Sequence, residues 1–364
     1  MKKFVKIVAY CLLGMVGLLL AAVGTGYYLY RTAELTPPEA TRDFSDSVVR
    51  RAADGSRSFG PNRLRHSENG FWELRLEGDA EQRGAAFGAL ADSLLYNQEA
   101  VFVDQIRAIV PNDRYLGFLR YLTIIFNRRL ARHIPGEYCT EIAAMSRYCT
   151  HDFDFIGEPY LRQLNYHAAH DIGHAMQSYM LVGCTAFGAW GDAAADGMIV
   201  GRNFDFYVGD EFARNRLLTF CIPDTGYRFV SIGWPGMVGV LSGMNETGLT
   251  VTLNAARGPV PLSSATPVSI LARKILQYAA TIDEACAIAS QYRTFVSESF
   301  LIGSARNARC AVIEKTPEKQ ALYTVPGQTI GCTNHFQSEA FADDMYNNEN
   351  IALSDSKPRA DRLA

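Results

Sequence analysis

The pattern of hydrophobic residues changes at Cys184, and this change limits the folds open to the chain. Before it, in stretches such as 115–130 and 160–180, apolar residues recur at helix-like intervals. After it, short apolar runs alternate with Gly, Asp and Pro turns, as strands do, and two helices are expected at 267–279 and after a capping residue, Thr281. Strands, two helices and strands again indicate stacked antiparallel sheets covered by helices, an α+β architecture. The predicted strands are 198–206, 217–222, 229–234, 238–242, 249–253, 300–303, 310–314, 320–325 and 329–332.

One string, residues 181–206, predicts a hairpin able to carry chemistry. It reads LVGCTAFGAWGDAAADGMIVGRNFDF, with a glycine before Cys184 and an Asp-Gly turn at Asp196 and Gly197. A cysteine at a chain's amino terminus carries its own general base, because an α-amino group titrates at roughly 7.7 to 8.0 and a thiol near about 8.5. Gly183 offers an unhindered carbonyl for an N-to-S shift. The string therefore predicts self-cleavage between Gly183 and Cys184 and thioester chemistry on Cys184, with no catalytic histidine and no cofactor.

A series of short strings in a fixed order gives the chain a resemblance to a known family. The strings are the glycine and cysteine at 183–184, GRNFDF at 201–206, GMNETGLTVTLNAARG from Gly243, CTNHF from Cys332 and SDSKPRADR from Ser354. Residues 166–359 resemble the choloylglycine-hydrolase and penicillin-acyltransferase branch of the N-terminal-nucleophile (Ntn) hydrolases, which includes acid ceramidase-like enzymes. The resemblance implies a four-layer αββα sandwich and a hydrolase or acyltransferase that acts on linear amides.

The resemblance also implies roles for residues at matching positions. These are Cys184 as nucleophile, Arg202 and Asp205 as its neighbours on the hairpin, Asn334 as an oxyanion donor, Arg359 as a site arginine and Asn254 as a second site asparagine. Arg202 favours thiolate over thiol, and Asp205 holds the new amine. The two are an odd number of positions apart, so a regular strand directs them to opposite faces, and we expect a bend to reunite them. Asparagines are also common turn residues, and Arg359 also fits plain surface charge.

Aromatic residues near the predicted site indicate the kind of substrate. Phe187, Phe204 and Trp234, together with Trp190 and Phe206, can line an apolar pocket for an acyl chain. Aromatic residues also build hydrophobic cores, which is the alternative interpretation. We expect a small-molecule partner, a lipid-like N-acyl amide.

The amino-terminal segment predicts a membrane partner. Residues 7–30 carry no charge, follow Lys2, Lys3 and Lys6 and end at Arg31. At about 1.5 Å per residue a helix of this length spans roughly 36 Å, enough for a bilayer core. Basic residues before the span predict a cytoplasmic amino terminus and an exported catalytic domain, on the periplasmic or extracellular side. A cleaved signal peptide is the alternative, although its apolar region usually runs only about 7 to 15 residues.

These features divide the chain into four parts. Residues 1–31 are an anchor or signal segment, 32–65 a linker, 66–183 a mostly helical pro-segment and 184–364 the catalytic domain. We expect the α chain that ends at Gly183 and the β chain that begins at Cys184 to stay associated, because neither alone covers the predicted sheets. The resemblance leads us to expect a further helix and strands after the last residue, so the catalytic domain is either abbreviated or incomplete there.

Two other functional classes remain open. His167, His170 and His174 share one helix face, as ligands of a metal-dependent hydrolase do, although histidines on adjacent turns also pack between helices. A non-catalytic, membrane-anchored binding protein keeps an intact chain and tolerates Cys184→Ala. Cys332 is a rival nucleophile, but no glycine-led hairpin follows it.

Charge and cysteine content exclude further classes. With 35 basic against 38 acidic residues and a net charge of -3, the chain has no electrostatic footprint for nucleic acid. No CxxC pair has metal spacing, so we expect no structural zinc. Cys139 and Cys149 are close enough in sequence to close a disulfide loop in an oxidising compartment.

Overall fold

The fold combines helices with two β-sheets, so the predicted α+β class is confirmed. A computed structural model describes residues 2–44, 46–175, 182–195 and 197–363. The helices are α1 (Lys2–Arg31), α2 (Ala80–Ile109), α3 (Asp113–Phe126), α4 (Gly136–Ser146), α5 (Pro159–Ala175), α6 (Val268–Tyr278), α7 (Ile282–Ser290), α8 (Met345–Leu353) and α9 (Ser356–Leu363). The strands are β1 (Arg50–Arg51), β2 (Arg57–Phe59), β3 (Asn62–His66), β4 (Trp72–Gly78), β5 (Val182–Gly191), β6 (Gly197–Phe206), β7 (Leu217–Pro223), β8 (Phe229–Gly233), β9 (Ser242–Asn245), β10 (Leu249–Ala255), β11 (Glu298–Ser304), β12 (Arg309–Lys315), β13 (Gln320–Tyr323) and β14 (Thr329–Cys332).

The larger sheet is built from both sides of the predicted cleavage point. It has 11 strands in the order β1-β2-β3-β4-β7-β8-β9-β10-β11-β12-β13. β4 and β7 run parallel, with Trp72 opposite Leu217 and Gly78 opposite Pro223, whereas the other neighbours are antiparallel. Because β1 to β4 precede Cys184 and β7 to β13 follow it, the two halves of the chain share one sheet.

The smaller sheet packs face to face against the larger one. Its strand order is β14-β5-β6, and β5 pairs with β6 from Val182 opposite Phe206 to Gly191 opposite Gly197. A buried cluster between the sheets joins β5, β11, β12 and β14 and includes Trp190. Trp190 is therefore a core residue.

Helices cover the outer faces of both sheets. α6 contacts β9 and β10, α7 contacts β11 and β12, and α9 contacts β14 and β5. α7 begins as predicted, because Thr281 accepts from the backbone N–H of Glu284 while the Glu284 carboxylate accepts from that of Thr281.

A buried ion-pair cluster ties the two halves of the chain together. Glu141 on α4 accepts from Arg83 at 2.7 Å and from Arg273 at 3.2 Å, and all three side chains are buried. Arg83 and Glu141 precede the predicted cleavage point, and Arg273 follows it. Removing one partner from such a cluster typically costs about 3–5 kcal/mol, because it leaves a buried charge uncompensated.

Three expectations from the sequence differ from the structure. The stretch 32–65, expected as a linker, contains β1, β2 and all but the last residue of β3, and these strands join the sheet through β4. Of the strand predicted at 238–242, residues 238–241 form a loop and β9 begins only at Ser242. The start of the loop bonds to helices, because Val238 N–H donates to His167 and Val240 N–H donates to the Ser269 carbonyl of α6. Cys139 and Cys149 are both free thiols.

Among the described residues, one helical segment is long and apolar enough to cross a membrane. It spans Ala9–Arg31, 23 residues, and none of its apolar window is buried. A signal sequence near the amino terminus passes the same test of length and hydropathy, so both predictions for this segment stand.

Candidate active site

Cys184 lies between the two sheets, on the inner face of the smaller one. It is 1% exposed. The register of β5 and β6 sets Cys184 opposite Phe204 and Ala186 opposite Arg202, so Cys184 and Arg202 share a face. Arg202 Nη2 donates to Cys184 Sγ at 3.8 Å. The structure thus brings together the cysteine and the arginine that the hairpin string predicted.

Opposing influences act on the Cys184 thiol. Burial raises the pKa of the thiol, and the positive charge of the Arg202 guanidinium lowers it. The nearby Glu298 raises the pKa as well, whereas the backbone N–H groups of Asp205 and Ala255 lower it. The pKa as a whole lies above its usual value, so this thiol needs a base before it can attack a carbonyl.

Arg202 is held rigidly beside the thiol. Its Nη1 donates to Ser242 Oγ at 2.9 Å and to the Leu241 carbonyl at 3.4 Å, and its Nη2 donates to the Leu253 carbonyl. The guanidinium lies 4.3 Å from the centre of the Phe204 ring, a cation–π contact. These bonds fix the plane of the guanidinium, so its positive charge stays directed at the sulfur.

Asn334 and Arg359 hold both backbone groups of Cys184. Asn334 Oδ1 accepts from the Cys184 N–H at 2.9 Å and from Arg359 Nη2 at 2.8 Å, and its Nδ2 donates to the Ala255 carbonyl at 2.9 Å. Arg359 Nη1 donates to the Cys184 carbonyl and, at 2.8 Å, to Thr185 Oγ1. Because N–H groups only donate and a carbonyl only accepts, these partners fix the orientation of the Asn334 amide.

The two C-terminal helices support Asn334 in a way that sequence reasoning missed. Ser356, at the start of α9, accepts from the Asn334 N–H at 2.8 Å and also bonds Thr333 Oγ1 and His335 Nδ1. Asn350 on α8 donates to the Asn334 carbonyl at 2.6 Å. The available signal was that Ser356 lies in the string SDSKPRADR.

Asp205 lies on the other face of the hairpin from Arg202. β6 runs unbroken from Gly197 to Phe206, and its register sets Asp205 opposite Gly183. The bend expected from the sequence is therefore absent, because the pleat is regular. A Cβ built on Gly183 would lie 3.8 Å from Asp205 Oδ2, so this carboxylate lies alongside the residue before the predicted scissile bond.

Asn254 joins the two sheets and, in the described part of the chain, makes no hydrogen bond to the Cys184 thiol. It lies in strand β10, not in a turn, and its Nδ2 donates to the Cys332 carbonyl at 3.0 Å. Cys332 is buried opposite Ala186, and burial raises the pKa of its thiol. Cys332 therefore lies beside the site as an unactivated thiol.

A buried carboxyl group, Glu298, was also missed from the sequence. It lies on β11 opposite Ala255 and is fully buried. Burial and then Asp171 raise the pKa of Glu298 well above its usual value, while Arg202 lowers it. Glu298 also raises the pKa of Cys184, so the charges of Cys184, Arg202 and Glu298 influence one another. The sequence signal was a lone acidic residue in a largely apolar stretch.

Aromatic rings lead from the thiol to an apolar cavity. Phe204, below Arg202, stacks on Phe206 at 5.8 Å and on Trp234 at 6.4 Å between ring centroids. Phe206 and Trp234 line a cavity of about 450 Å³, whose other walls come from α2, α5 and the loop after β6. The cavity is therefore built from both halves of the chain.

Phe187 does not belong to this cavity. It is 40% exposed on the outer face of the smaller sheet, because side chains alternate along β5 and Cys184 points inward. A larger cavity of about 690 Å³ surrounds the loop 258–263, and no predicted site residue lines it.

His167 packs between helices and does not serve as a metal ligand. Its Nδ1 donates to the Gln163 carbonyl at 2.7 Å, and its Nε2 accepts from the Val238 N–H at 3.0 Å, so both ring nitrogens are occupied. The side chains of His170 and His174 lie outside the described part of the structure. Within that part, the one group with metal-like spacing is His151, Asp154 and Glu158, away from Cys184.

The buried imidazole makes stability depend on pH. Burial lowers the pKa of His167 to about 4 from an ordinary 6.5. The folded chain keeps His167 neutral, whereas the unfolded chain binds a proton below about pH 6.5, so this stability is complete above pH 6.5 and is lost as the pH falls to about 4. The test compares uncut Cys184→Ala protein with the same protein carrying His167→Gln as well. The difference between their free energies of unfolding should shrink by about 3 kcal/mol as the pH falls over that range. A difference independent of pH would contradict the assignment; urea unfolding at both ends of the range measures it.

The sequence around this site is similar to that of known proteins. Residues 193–364 match the family described as acyl-coenzyme A:6-aminopenicillanic acid acyl-transferase. The predicted resemblance is confirmed. The match begins after Gly183 and Cys184 and includes Arg202, Asn334 and Arg359. An uncharacterized protein of Archaeoglobus fulgidus is 28% identical over 271 residues, 70% of this chain and 45% of that protein, so the chain spans less than half the length of this relative.

Two solved structures also show a likeness. The N-acylethanolamine-hydrolyzing acid amidase ortholog of Caenorhabditis elegans is 18% identical, with a TM-score of 0.35 and coverage of 50% of this chain and 85% of that one. A mutant of the conjugated bile acid hydrolase of Clostridium perfringens is 15% identical, with a TM-score of 0.32 and coverage of 43% and 55%. These TM-scores are too low for the likeness to assign any residue.

Proposed function

We propose that the chain is an autoprocessing cysteine Ntn amidohydrolase or acyltransferase that cleaves a linear N-acyl amide through a thioester on Cys184. One observation carries the proposal. The thiol of Cys184 faces the Arg202 guanidinium, while Asn334 and Arg359 hold the backbone N–H and carbonyl of the same residue. Three polar side chains therefore engage the thiol and both backbone groups of the one residue that the proposed mechanism uses.

In the first proposed step the chain cuts itself. The Cys184 sulfur attacks the Gly183 carbonyl carbon, the C–N bond breaks, and the departing nitrogen keeps a proton from the thiol. Water then hydrolyses the thioester, which leaves a carboxylate on Gly183 and a free α-amine on Cys184. Asp205 lies alongside Gly183 and is suited to hold the new amine in its protonated form.

In the second proposed step the new amine activates the thiol. A thiol whose pKa is raised by burial needs a base, and the α-amine of the same residue supplies one near neutral pH. The thiolate attacks the substrate carbonyl, and the Asn334 amide stabilises the oxyanion through a hydrogen bond. The leaving amine takes the proton, and water or another amine resolves the acyl-enzyme.

The cavity beside Phe204 supports an apolar acyl group as the substrate. Phe206, Trp234, Phe102 and Phe212 give it aromatic walls, and α2 supplies Ile106 and Ile109. Apolar surface of this kind favours a long acyl chain over a charged or peptidic group. A lipid-like N-acyl amide is the substrate class we propose.

The same proposal covers architecture and location. The sheets with α6 and α7 on one side and α9 on the other form the four-layer αββα sandwich of an Ntn enzyme. The shared 11-stranded sheet and the Glu141 cluster support continued association of the α and β chains. The segment Ala9–Arg31 acts as a membrane anchor, and the catalytic domain is exported.

The proposed activity can be tested by assaying purified full-length protein in detergent with a panel of N-acyl amides. We expect hydrolysis of long-chain N-acyl amino acids or N-acylethanolamines, complete inactivation by iodoacetamide and no effect of a chelator. Loss of activity with a chelator would favour a metal-dependent hydrolase. No hydrolysis of any linear N-acyl amide by cleaved protein would overturn the proposed substrate class.

A further inference from the structure

A stripe of large apolar side chains on α3 faces away from the protein. Tyr115, Phe118 and Leu122 are 51%, 55% and 50% exposed. Their spacing of three and four residues places them on one face of the helix. Exposed apolar patches of this kind mark contact with another protein or a membrane.

The charges around this stripe favour a lipid surface. Residues 113–133 contain five arginines and one aspartate. Arg114 and Arg120 lie on α3 itself, and Arg128 and Arg129 follow its end. A basic helix with an aromatic face is typical of segments that lie in the headgroup region of a bilayer.

The amino-terminal helix places the same stripe at the membrane. α3 contacts the end of α1, where the rings of Tyr30 and Tyr121 meet edge to face at 5.2 Å. Just after α1, Glu34 donates its backbone N–H to the Arg128 carbonyl at 2.7 Å and forms an ion pair with Arg132. The end of α1, rich in tyrosine and closed by an arginine, is where an anchor helix meets the headgroups. These contacts hold α3 at that level.

The end of α2 connects the wall of the apolar cavity to this surface. Ile106 and Ile109, at the end of α2, line the cavity, and Ile109 is 75% exposed. α3 begins four residues after Ile109. Ile109, an exposed residue of the cavity wall, therefore lies close to the amino-terminal end of α3.

We propose that α3 lies in the headgroup layer of the bilayer that holds α1, with Tyr115, Phe118 and Leu122 inserted, and that the substrate enters the cavity from that layer. The docking rests on α1 being an anchor. The entry of substrate rests on the proposed function as well. The occupant of the stripe is a lipid surface, and the arginines give it a preference for anionic headgroups.

Tryptophan quenching tests the docking without any catalysis. Full-length Phe118→Trp protein is reconstituted in nanodiscs whose lipids carry brominated acyl chains. Leu353→Trp serves as the matched control, since it replaces an apolar residue that is 73% exposed on α8. We expect the brominated lipids to quench most of the emission that Trp adds at position 118, more strongly with anionic lipid, and to leave the emission added at position 353 unchanged. Equal emission in brominated and ordinary lipid for both variants, or equal quenching of both, would overturn the proposal.

A second readout tests substrate entry. The double change Phe118→Ser and Leu122→Ser should lower kcat/KM by about tenfold or more for a long-chain N-acyl amide in the bilayer, since two large apolar side chains lose their burial. The rate with a short, water-soluble N-acyl amide should stay the same. Equal losses on both substrates would contradict entry from the membrane. If wild-type protein hydrolyses neither amide, the proposed function fails while the quenching result still decides the docking.

Discussion

Cys184→Ala is expected to lower kcat for N-acyl amide hydrolysis by about 10⁴-fold or more, as loss of the nucleophile does in other covalent hydrolases. The loss follows because no other described thiol has the neighbours of Cys184: the Arg202 guanidinium at the sulfur, and Asn334 and Arg359 at the backbone. The methyl group of alanine fits in the same buried space, so the uncut variant should keep the wild-type secondary structure. Steady-state kinetics measure the loss of activity, and circular dichroism checks the fold.

Cys332→Ala is the matched control for this prediction. Cys332 is as deeply buried as Cys184 and lies one strand away, but its backbone is held by Asn254 alone among the predicted site residues. It should keep near-normal kcat. Mass spectrometry of wild-type protein quenched during turnover should show the acyl group on the β chain at Cys184. An acyl group on Cys332, or full activity of Cys184→Ala, would contradict the assignment.

Asn334→Asp is expected to lower kcat by about 10² to 10³, which corresponds to about 2.7 to 4 kcal/mol, the usual value of one oxyanion donor. The aspartate keeps the oxygen that accepts from Cys184 and Arg359. It loses the N–H donor and sets a carboxylate oxygen against the Ala255 carbonyl. KM should change less than kcat, because the oxyanion forms only in the transition state. Kinetics on fully cleaved protein measure the effect.

Asn347→Asp controls for the burial of an aspartate. Asn347 is buried on α8, where its amide bonds both backbone groups of Phe336 and none of Cys184. This variant should lose stability but keep kcat per folded molecule. A kcat for Asn334→Asp within a few-fold of the wild-type value would remove Asn334 from the oxyanion role.

Local patterns in the sequence predicted much of the second half of the fold. The helix at 267–279 and the capping box at Thr281 are set by neighbouring residues, and the structure has both. β1 to β4 could not be predicted in the same way. Their sequences are short and rich in arginine, and β4 becomes part of the sheet only through its parallel partner β7, more than a hundred residues later. Pairing over such distances leaves no periodic signal in one sequence.

The site residues also divide into those that a local sequence pattern predicts and those that long-range packing brings to the site. Cys184 and Arg202 lie in one hairpin, so the alternation of side chains predicts that they meet. The same alternation should have excluded Phe187, an odd number of positions from Cys184, from the inner face. Glu298 and Ser356 reach the site through long-range packing of β11 and α9. Neither lies near Cys184 in the sequence.

Intact-mass measurement with amino-terminal sequencing, on wild type beside Cys184→Ala, tests the central claim most directly. The account predicts a wild-type fragment that begins at Cys184 and an α chain that ends at Gly183, with neither product in Cys184→Ala. A wild-type chain that hydrolyses N-acyl amides while still uncut, or a cut at Gly183 that persists in Cys184→Ala, would contradict it.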